Sequence, residues 1–241
     1  MDLPALQSSL DGYLNVAVHV GTDDQNGVFL PSELPVRRFG LALEPFAGLE
    51  RWVKWKKLDA LFLHRPWRMG EEQRAFLVSR QTGVLAYHLA FDERLTTGFN
   101  PALAEACGWG EPELFGTKEG RPLGMTCLLP TPTSFEEATA QLEQEFSGLE
   151  AVVSPSKATV QKVAVVGAMT EPLIRQAHEA GVSLYVTGQL RHPARLAVQE
   201  TGIGVVALGH HRSEVWGLRH LARYLQSRLA GEVQVFVPEV L

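Results

Sequence analysis

The last third of the chain alternates between short apolar segments and segments with helix signals, and this alternation constrains the fold more than any other feature. The segments "KVAVVGAM", "VSLYVTG" and "IGVVALG" are β-branched and apolar, as buried strands are. The segment after each one closes with glycine and opens with a capping residue or an early proline, which are helix boundary signals. This order predicts an α/β fold in which Ser213 caps the final helix.

The amino-terminal half repeats the pattern. The segments "VRRFGLALEP", "LDALFLH" and "VLAYHLAFD" are strand-like, and the segments between them are helix-like. Residues 110–134 are rich in glycine, proline and threonine and are predicted to be irregular or to form a hairpin, after which Ser134 and Glu137 form a capping box that begins a helix. We predict an α/β amino-terminal lobe over residues 1–109, a connection over 110–134 and an α/β carboxyl-terminal lobe over 135–241. The two lobes are expected to pack as one compact unit.

The composition is that of an ordinary globular protein, with 45% hydrophobic residues in a chain of 241. A net charge of -5 argues against a broad nucleic-acid-binding surface, although a local patch stays open. No apolar run reaches the ~18 residues of a membrane span, and the amino terminus lacks signal-peptide features. We therefore expect a cytoplasmic protein with no membrane partner. Cys107 and Cys127 are expected to be buried thiols rather than a disulfide or a metal clip.

Side chains of the kind that bind metals follow predicted strands in both halves of the chain. His64 ends one strand, His88 and Asp92 end a second, and His210 ends a third, with Glu214 one helical turn later. Ligands of open α/β sheets gather at the carboxyl ends of strands, so we expect His64, Asp92, His210 and Glu214 to converge. Imidazole and carboxylate groups without cysteine favour a divalent transition metal. The alternative for any one of these histidines is a hydrogen-bonded structural role.

Sequence signatures of other catalytic sites are absent. The segment "VAVVGAMTEP" follows a strand but has one glycine where a dinucleotide site needs G-x-G-x-x-G. The sequence contains neither a P-loop nor a G-x-S-x-G serine motif. The residues at the strand ends therefore remain the principal chemical feature.

The segments "LDALFLHRP", "AYHLAFD", "KVAVVGAM", "LYVTGQLRH" and "GHHRSE", in this order, resemble the Nif-three-like proteins, often labelled GTP cyclohydrolase 1 type 2 homologues. The segment "DDQNGVFL" adds a weaker similarity to the family's Asp-Asn motif. The resemblance covers nearly the whole chain. It implies two similar α/β lobes, two divalent metal ions between them, and a toroidal homohexamer whose metals face an internal cavity.

Carried over residue by residue, the resemblance assigns four metal ligands. The first histidine of the family's His-His-Pro motif is His64, and the aspartate of its His-Thr-Asn-Leu-Asp motif is Asp92. The final histidine and glutamate are His210 and Glu214, with Glu214 as a bridging carboxylate. These are the same four residues that the strand ends indicate. They imply one or two divalent ions per chain, such as zinc, manganese or iron.

The chain departs from the family signature beside these ligands. Arg65 stands where the family has its second histidine, and an arginine cannot ligate a metal. His211 replaces a tyrosine and Gln189 replaces an acidic residue, while His88 keeps the first place of its motif. We predict fewer than two tightly held ions per chain. Arg65 either turns away, with His211 as a substitute ligand, or turns inward and binds an anionic group; Arg65 and Gln189 are thus the predicted substrate or anion contacts.

The sequence leads to two main hypotheses for function. In the first, the protein is a metal-dependent hydrolase of a nucleotide or related small molecule, GTP cyclohydrolase-like by resemblance, with His88 and His211 as proton shuttles. In the second, it is a non-catalytic metal-binding scaffold or interaction protein with a partly degraded dinuclear site. A third, nucleic-acid processing within a ring cavity, would need basic residues lining that cavity.

The expected partner is a second copy of the same chain. Three tryptophans, Trp52, Trp55 and Trp67, lie within a segment of 16 residues. So many large apolar side chains in a short segment favour a subunit contact. Together with the resemblance, they predict a homo-oligomer, and the family makes it a hexamer.

Overall fold

A computed structural model describes residues 1–20, 24–118 and 120–239. The chain divides into two compact units, one made of Met1–Phe91 and Gly217–Leu241 and the other of Asp92–Trp216. These units differ from the predicted division at 1–109, 110–134 and 135–241. They differ because the end of the chain adds a strand to the first sheet, and because the helix and hairpin before residue 135 belong with the second sheet.

Helices and strands alternate in both units, which confirms the predicted α/β class. The first unit contains, in chain order, α1 (Leu3–Tyr13), β1 (Asn26–Leu30), β2 (Arg38–Ala42), α2 (Leu49–Lys56), β3 (Ala60–Leu63), α3 (Glu71–Ser79) and β4 (Gly83–Tyr87). Helix α4 (Leu89–Leu95) then carries the chain into the second unit.

The second unit contains the strands that the β-branched segments predict. Its elements are α5 (Pro101–Ala106), β5 (Glu113–Lys118), β6 (Arg121–Ser134), α6 (Phe135–Phe146), β7 (Ala151–Val153), β8 (Thr159–Val166), α7 (Glu171–Glu179), β9 (Leu184–Thr187), α8 (Arg195–Thr201) and β10 (Gly204–Ala207). Helix α9 (His210–Arg228) begins in this unit and ends in the first, where β11 (Gln234–Phe236) follows.

The first sheet has the strand order β1-β4-β3-β2-β11. Strands β4, β3, β2 and β11 are parallel, and β1 runs antiparallel to β4 at the edge. Leu63, the last residue of β3, pairs with Ala86 near the end of β4. The residues that follow these two strands therefore leave the sheet side by side, and they include His64 and His88.

The second sheet has the order β5-β6-β8-β9-β10-β7. Strands β8, β9 and β10 are parallel neighbours joined by α7 and α8, as the alternating pattern predicts. Strands β5 and β6 pair antiparallel, so the hairpin alternative for residues 110–134 is correct. Cys107 and Cys127 are free and buried, as predicted, and burial, with a smaller contribution from nearby carboxylates, raises the pKa of their thiols to about 12 and about 11.

The predicted start of α6 is confirmed, since Ser134 Oγ accepts from the Glu137 N–H at 3.1 Å in the capping box. The starts of α9 and α4 differ from the sequence predictions. Ser213, by contrast, does not cap α9, because that helix already begins at His210 and the Ser213 hydroxyl donates to the His210 carbonyl at 2.7 Å. Asp92 is not at a strand end either, because β4 stops at Tyr87 and Asp92 lies in α4.

In the part of the chain that the structure describes, no helix combines the length and the apolar character that crossing a lipid bilayer requires.

Candidate metal centre

His64, His88 and Asp92 bring two imidazole nitrogens and one carboxylate oxygen to within 4.8 Å of one another. His64 follows β3 and His88 follows the adjacent parallel strand β4, so the sheet places the two rings together. Asp92 lies four residues after His88, which is about one turn of helix. Asp92 lies in the first turn of α4, which begins directly after His88.

The imidazole of His64 is held in one tautomer. It is fully buried, and its Nδ1–H donates to the main-chain carbonyl of Tyr87 at 2.9 Å. Its ring centroid lies 5.1 Å from that of His88 and 4.8 Å from that of Phe91. A proton on Nδ1 leaves the lone pair on Nε2, which is the form in which histidine binds a metal.

His88 is oriented by a carboxylate that the sequence analysis did not single out. Its Nδ1–H donates to Asp24 Oδ1 at 2.8 Å, and the N–H of Leu89 donates to Asp24 Oδ2 at 2.8 Å. Burial by itself raises the pKa of Asp24, but hydrogen bonds from His88, Leu89 and Asn26 outweigh it and hold that pKa below its usual value. The only sequence signal was the position of Asp24 in "DDQNGVFL", whose other acidic residue, Asp23, lies outside the described residues.

Arg65 contacts a carboxylate that follows the neighbouring strand β2. Its Nη1 lies 3.7 Å from Glu44 Oε2, and Arg68 Nη1 lies 2.6 Å from the same oxygen. The charge of Arg65 is therefore partly compensated by Glu44. Next to it, the half-exposed indole of Trp67 meets the ring of His88 edge-on at a centroid distance of 5.0 Å.

His210 and Glu214 form a pair of their own in the second unit. His210 Nε2 lies 3.0 Å from Glu214 Oε1, as their spacing on one turn of α9 predicts. Glu214 is fully buried, whereas His210 and His211 are exposed, and His211 Nδ1 lies 4.0 Å from Glu214 Oε2. The convergence of this pair with His64 and Asp92 stays a prediction.

Gln189 lines a cleft of about 540 Å³ that opens at the carboxyl ends of β8 and β9, here called the β8–β9 cleft. His210 lines the same cleft. Gln189 is thus placed where a ligand has room to bind, at the position that is acidic in the family signature.

The fold and the group formed by His64, His88 and Asp92 define an α/β protein with a candidate divalent-metal site. The family model Duf34/NIF3 (NGG1p interacting factor 3) matches residues 9–240, and the chain belongs to this family. The resemblance inferred from the sequence motifs is therefore confirmed.

The relatives of this chain include proteins named GTP cyclohydrolase 1 type 2 homolog. The one from Archaeoglobus fulgidus is 26% identical over 96% of this chain and 96% of its own length. The one from Pseudomonas aeruginosa is 27% identical over 95% of this chain and 94% of its own length. Their full-length similarity agrees with the family match.

Solved structures show the same fold at low sequence identity. "Structural genomics, protein ybgI, unknown function" has a TM-score of 0.78 at 20% identity and covers 100% of this chain and 99% of that one. "Reduced HcgD from Methanocaldococcus jannaschii" has a TM-score of 0.74 at 21% identity, with 99% and 98% covered.

Proposed function

We propose that this protein binds a divalent transition metal and acts as a metal-dependent hydrolase on a nucleotide or related small molecule. The observation that carries the proposal is the grouping of donor atoms from His64, His88 and Asp92 within 4.8 Å. Two imidazoles and one carboxylate are a donor set typical of catalytic zinc and non-haem iron sites.

The surroundings of these three residues fit an ion. The hydrogen bonds from His64 to Tyr87 and from His88 to Asp24 direct a lone-pair nitrogen of each ring away from its partner. A bound ion would supply Lewis acidity toward a substrate oxygen. The carboxylate of Asp24 orients the His88 ring, as carboxylates behind metal-binding histidines commonly do. In this proposal His88 is therefore a ligand, in place of the proton shuttle that the sequence analysis assigned to it.

We also retain the other assigned roles as proposals. His210 and Glu214 are proposed ligands because their donor atoms already lie 3.0 Å apart on one helical turn. His211 is the proposed proton shuttle, since its exposed ring lies 4.0 Å from Glu214. The names of the relatives supply the nucleotide class of substrate.

The assembly and location of the protein follow as further proposals. The exposure of Trp55 at 66% and of Trp67 at 53% supports a homo-oligomer, which we propose is a cytoplasmic hexamer. Static light scattering at micromolar concentration tests the assembly, and a stable monomer would contradict it.

The ion pair between Arg65 and Glu44 favours a second candidate function, a metal-binding scaffold without catalysis. An arginine held in this way occupies the place of a family ligand and contributes no donor atom to a metal. A site that holds an ion but lacks one ligand position would bind metal without turnover.

One experiment separates the two candidates. Protein purified without added metal is analysed for bound elements and screened for nucleotide hydrolysis, beside Asp92→Asn and, as a matched control, the exposed His178→Ala. Metal with turnover supports the hydrolase, and metal without turnover supports the scaffold. Wild-type protein that holds no more metal than Asp92→Asn, after both are supplied with zinc or manganese, contradicts both candidates.

A further inference from the structure

We propose that the β8–β9 cleft is a binding site for a small organic anion of the nucleoside monophosphate class. Its volume of about 540 Å³ lies within the ~300–1,000 Å³ that ligand pockets typically have. All of its lining residues belong to the second unit, and the position outside the carboxyl ends of parallel strands is where open α/β sheets bind ligands.

Two threonines with little exposed surface line the cleft. Thr97 is 5% exposed and Thr187 is 2% exposed. Each hydroxyl can donate one hydrogen bond and accept others, so a ligand with ring heteroatoms or sugar hydroxyls would have partners here.

The charge of the cleft selects an anion. Arg191 lines the cleft and, among the described residues, forms no ion pair. The one carboxylate in the lining, Glu171, pairs with Arg175, whose Nη2 lies 2.8 Å from it and 2.6 Å from Glu200 outside the lining. Arg191 is the arginine of the lining, and its planar guanidinium suits a phosphate group.

The walls of the cleft favour a flat ring beside that anionic group. Met169 and Pro193 give the lining apolar surface on which a ring can pack. The main chain of Arg191 lies against this wall, because its backbone N–H donates to the sulfur of Met169 at 3.3 Å. A nucleoside monophosphate has a ring for the apolar wall, sugar hydroxyls for the two threonines and a phosphate for Arg191.

Gly188 keeps the centre of the cleft open. A Cβ at this position would lie 3.7 Å from Thr97 Oγ1 and 3.9 Å from His210 Nδ1, which are ordinary contacts. The fold therefore tolerates Gly188→Ala, while the added methyl group enters space that a ligand would fill. This variant tests occupancy of the cleft without removing a polar group.

Calorimetric titration of the full-length protein with the four ribonucleoside 5′-monophosphates tests the inference. Parallel titrations use the matching nucleosides and inorganic phosphate, with and without EDTA. At least one monophosphate is expected to saturate one site per chain, and Arg191→Gln to weaken it by about tenfold or more, as the loss of a charge-assisted hydrogen bond does. Thr187→Val and Gly188→Ala are expected to weaken it as well, while the exposed Arg195→Gln, one turn along the chain, leaves it unchanged.

Three results would overturn the inference. These are no saturable binding of any monophosphate, equal effects of Arg191→Gln and Arg195→Gln, or inorganic phosphate binding as tightly as the nucleotides. Circular dichroism confirms that each variant is folded before it is titrated. Because binding is measured also in EDTA, this result is independent of the proposed metal-dependent reaction, and the two can fail separately.

Discussion

Asp24 accepts a hydrogen bond of 2.8 Å from Nδ1 of His88, across a separation of 64 residues in the sequence. The edge strand β1 makes this contact possible. Because β1 pairs antiparallel with β4, the residues just before β1 lie beside the end of β4, where His88 follows. Asp24 thus holds the ring of His88 toward His64 and Asp92, and the orientation of a ligand depends on a residue outside the ligand set.

Replacing Asp24 by asparagine is expected to weaken metal binding by about 10- to 100-fold, which is the usual effect of removing a carboxylate that orients a histidine ligand. The affinity is measured by competition with a chromogenic chelator for zinc. The exposed Glu179→Gln serves as the control for the loss of one negative charge. Equal affinities of Asp24→Asn and the wild type would show that Asp24 does not act through His88.

Arg65→His is expected to raise the metal stoichiometry toward two ions per chain, because it restores a donor where the guanidinium offers none. The matched control is Arg68→His, which removes the other arginine that contacts Glu44. Isothermal titration with manganese or zinc measures both. The wild type should hold fewer than two tight ions, so two equally tight sites in the unmodified chain would contradict the prediction.

Gly124→Ala is expected to destabilise the protein by about 1–3 kcal/mol or more, as overpacking does. Gly124 lies on β6, and a Cβ there would lie 2.1 Å from the carbonyl oxygen of Val165 on β8, so the backbone itself has to move. In Gly12→Ala the new methyl group meets nothing within 4 Å. The unfolding temperature of Gly124→Ala should be lower than that of the wild type, and that of Gly12→Ala equal or higher. The reverse order would contradict the close packing of β6 against β8 at Gly124.

The capping box at the start of α6 gives a stability difference that depends on pH. Hydrogen bonds from Thr133 and Ser134 lower the pKa of Glu137 to about 2, from its ordinary value of 4.5. Because the folded-state pKa is the lower one, the stabilisation is complete above 4.5 and is lost as the pH falls toward about 2.

Glu137→Ala should therefore lower the unfolding temperature at neutral pH, and the difference from the wild type should shrink as the pH is taken toward about 3. Ser134→Ala is expected to cost about 0.5–2 kcal/mol at neutral pH. The neighbouring Glu136→Ala, outside the capping box, is the control. A difference between Glu137→Ala and the wild type that stays constant over this pH range would be evidence against the capping role.

The fold could be predicted where the signal is local. Strands β8, β9 and β10 are β-branched apolar runs, and the box of Ser134 and Glu137 spans one helical turn, so neighbouring residues determine both. The segment "VLAYHLAFD" was misassigned as a strand throughout because it is apolar along most of its length, and periodicity does not separate strand from helix in so short a run. At the start of α4, the N–H of Leu89 donates to Asp24, which is 65 residues away, so a partner distant in the sequence satisfies this helix terminus.

In the candidate site too, contacts between residues near in the sequence can be predicted, and contacts that depend on the order of the strands cannot. His210 and Glu214 are four residues apart, and their pairing is a consequence of helix geometry that the sequence predicts. The contact of His88 with Asp24 and that of Arg65 with Glu44 depend on which strands are neighbours in the sheet. That order places β1 beside β4 and β2 beside β3, and no local pattern in the sequence encodes it.

The position of β11 has a consequence for how the protein is made. Its partner β2 is translated before the second unit, and β11 is translated after it. At ~5–20 residues per second, the nascent chain carries β2 as an open, unpaired edge for on the order of ten seconds or more. All strands of the second unit are translated during that interval, so the second sheet has its full set of strands before the first sheet receives β11.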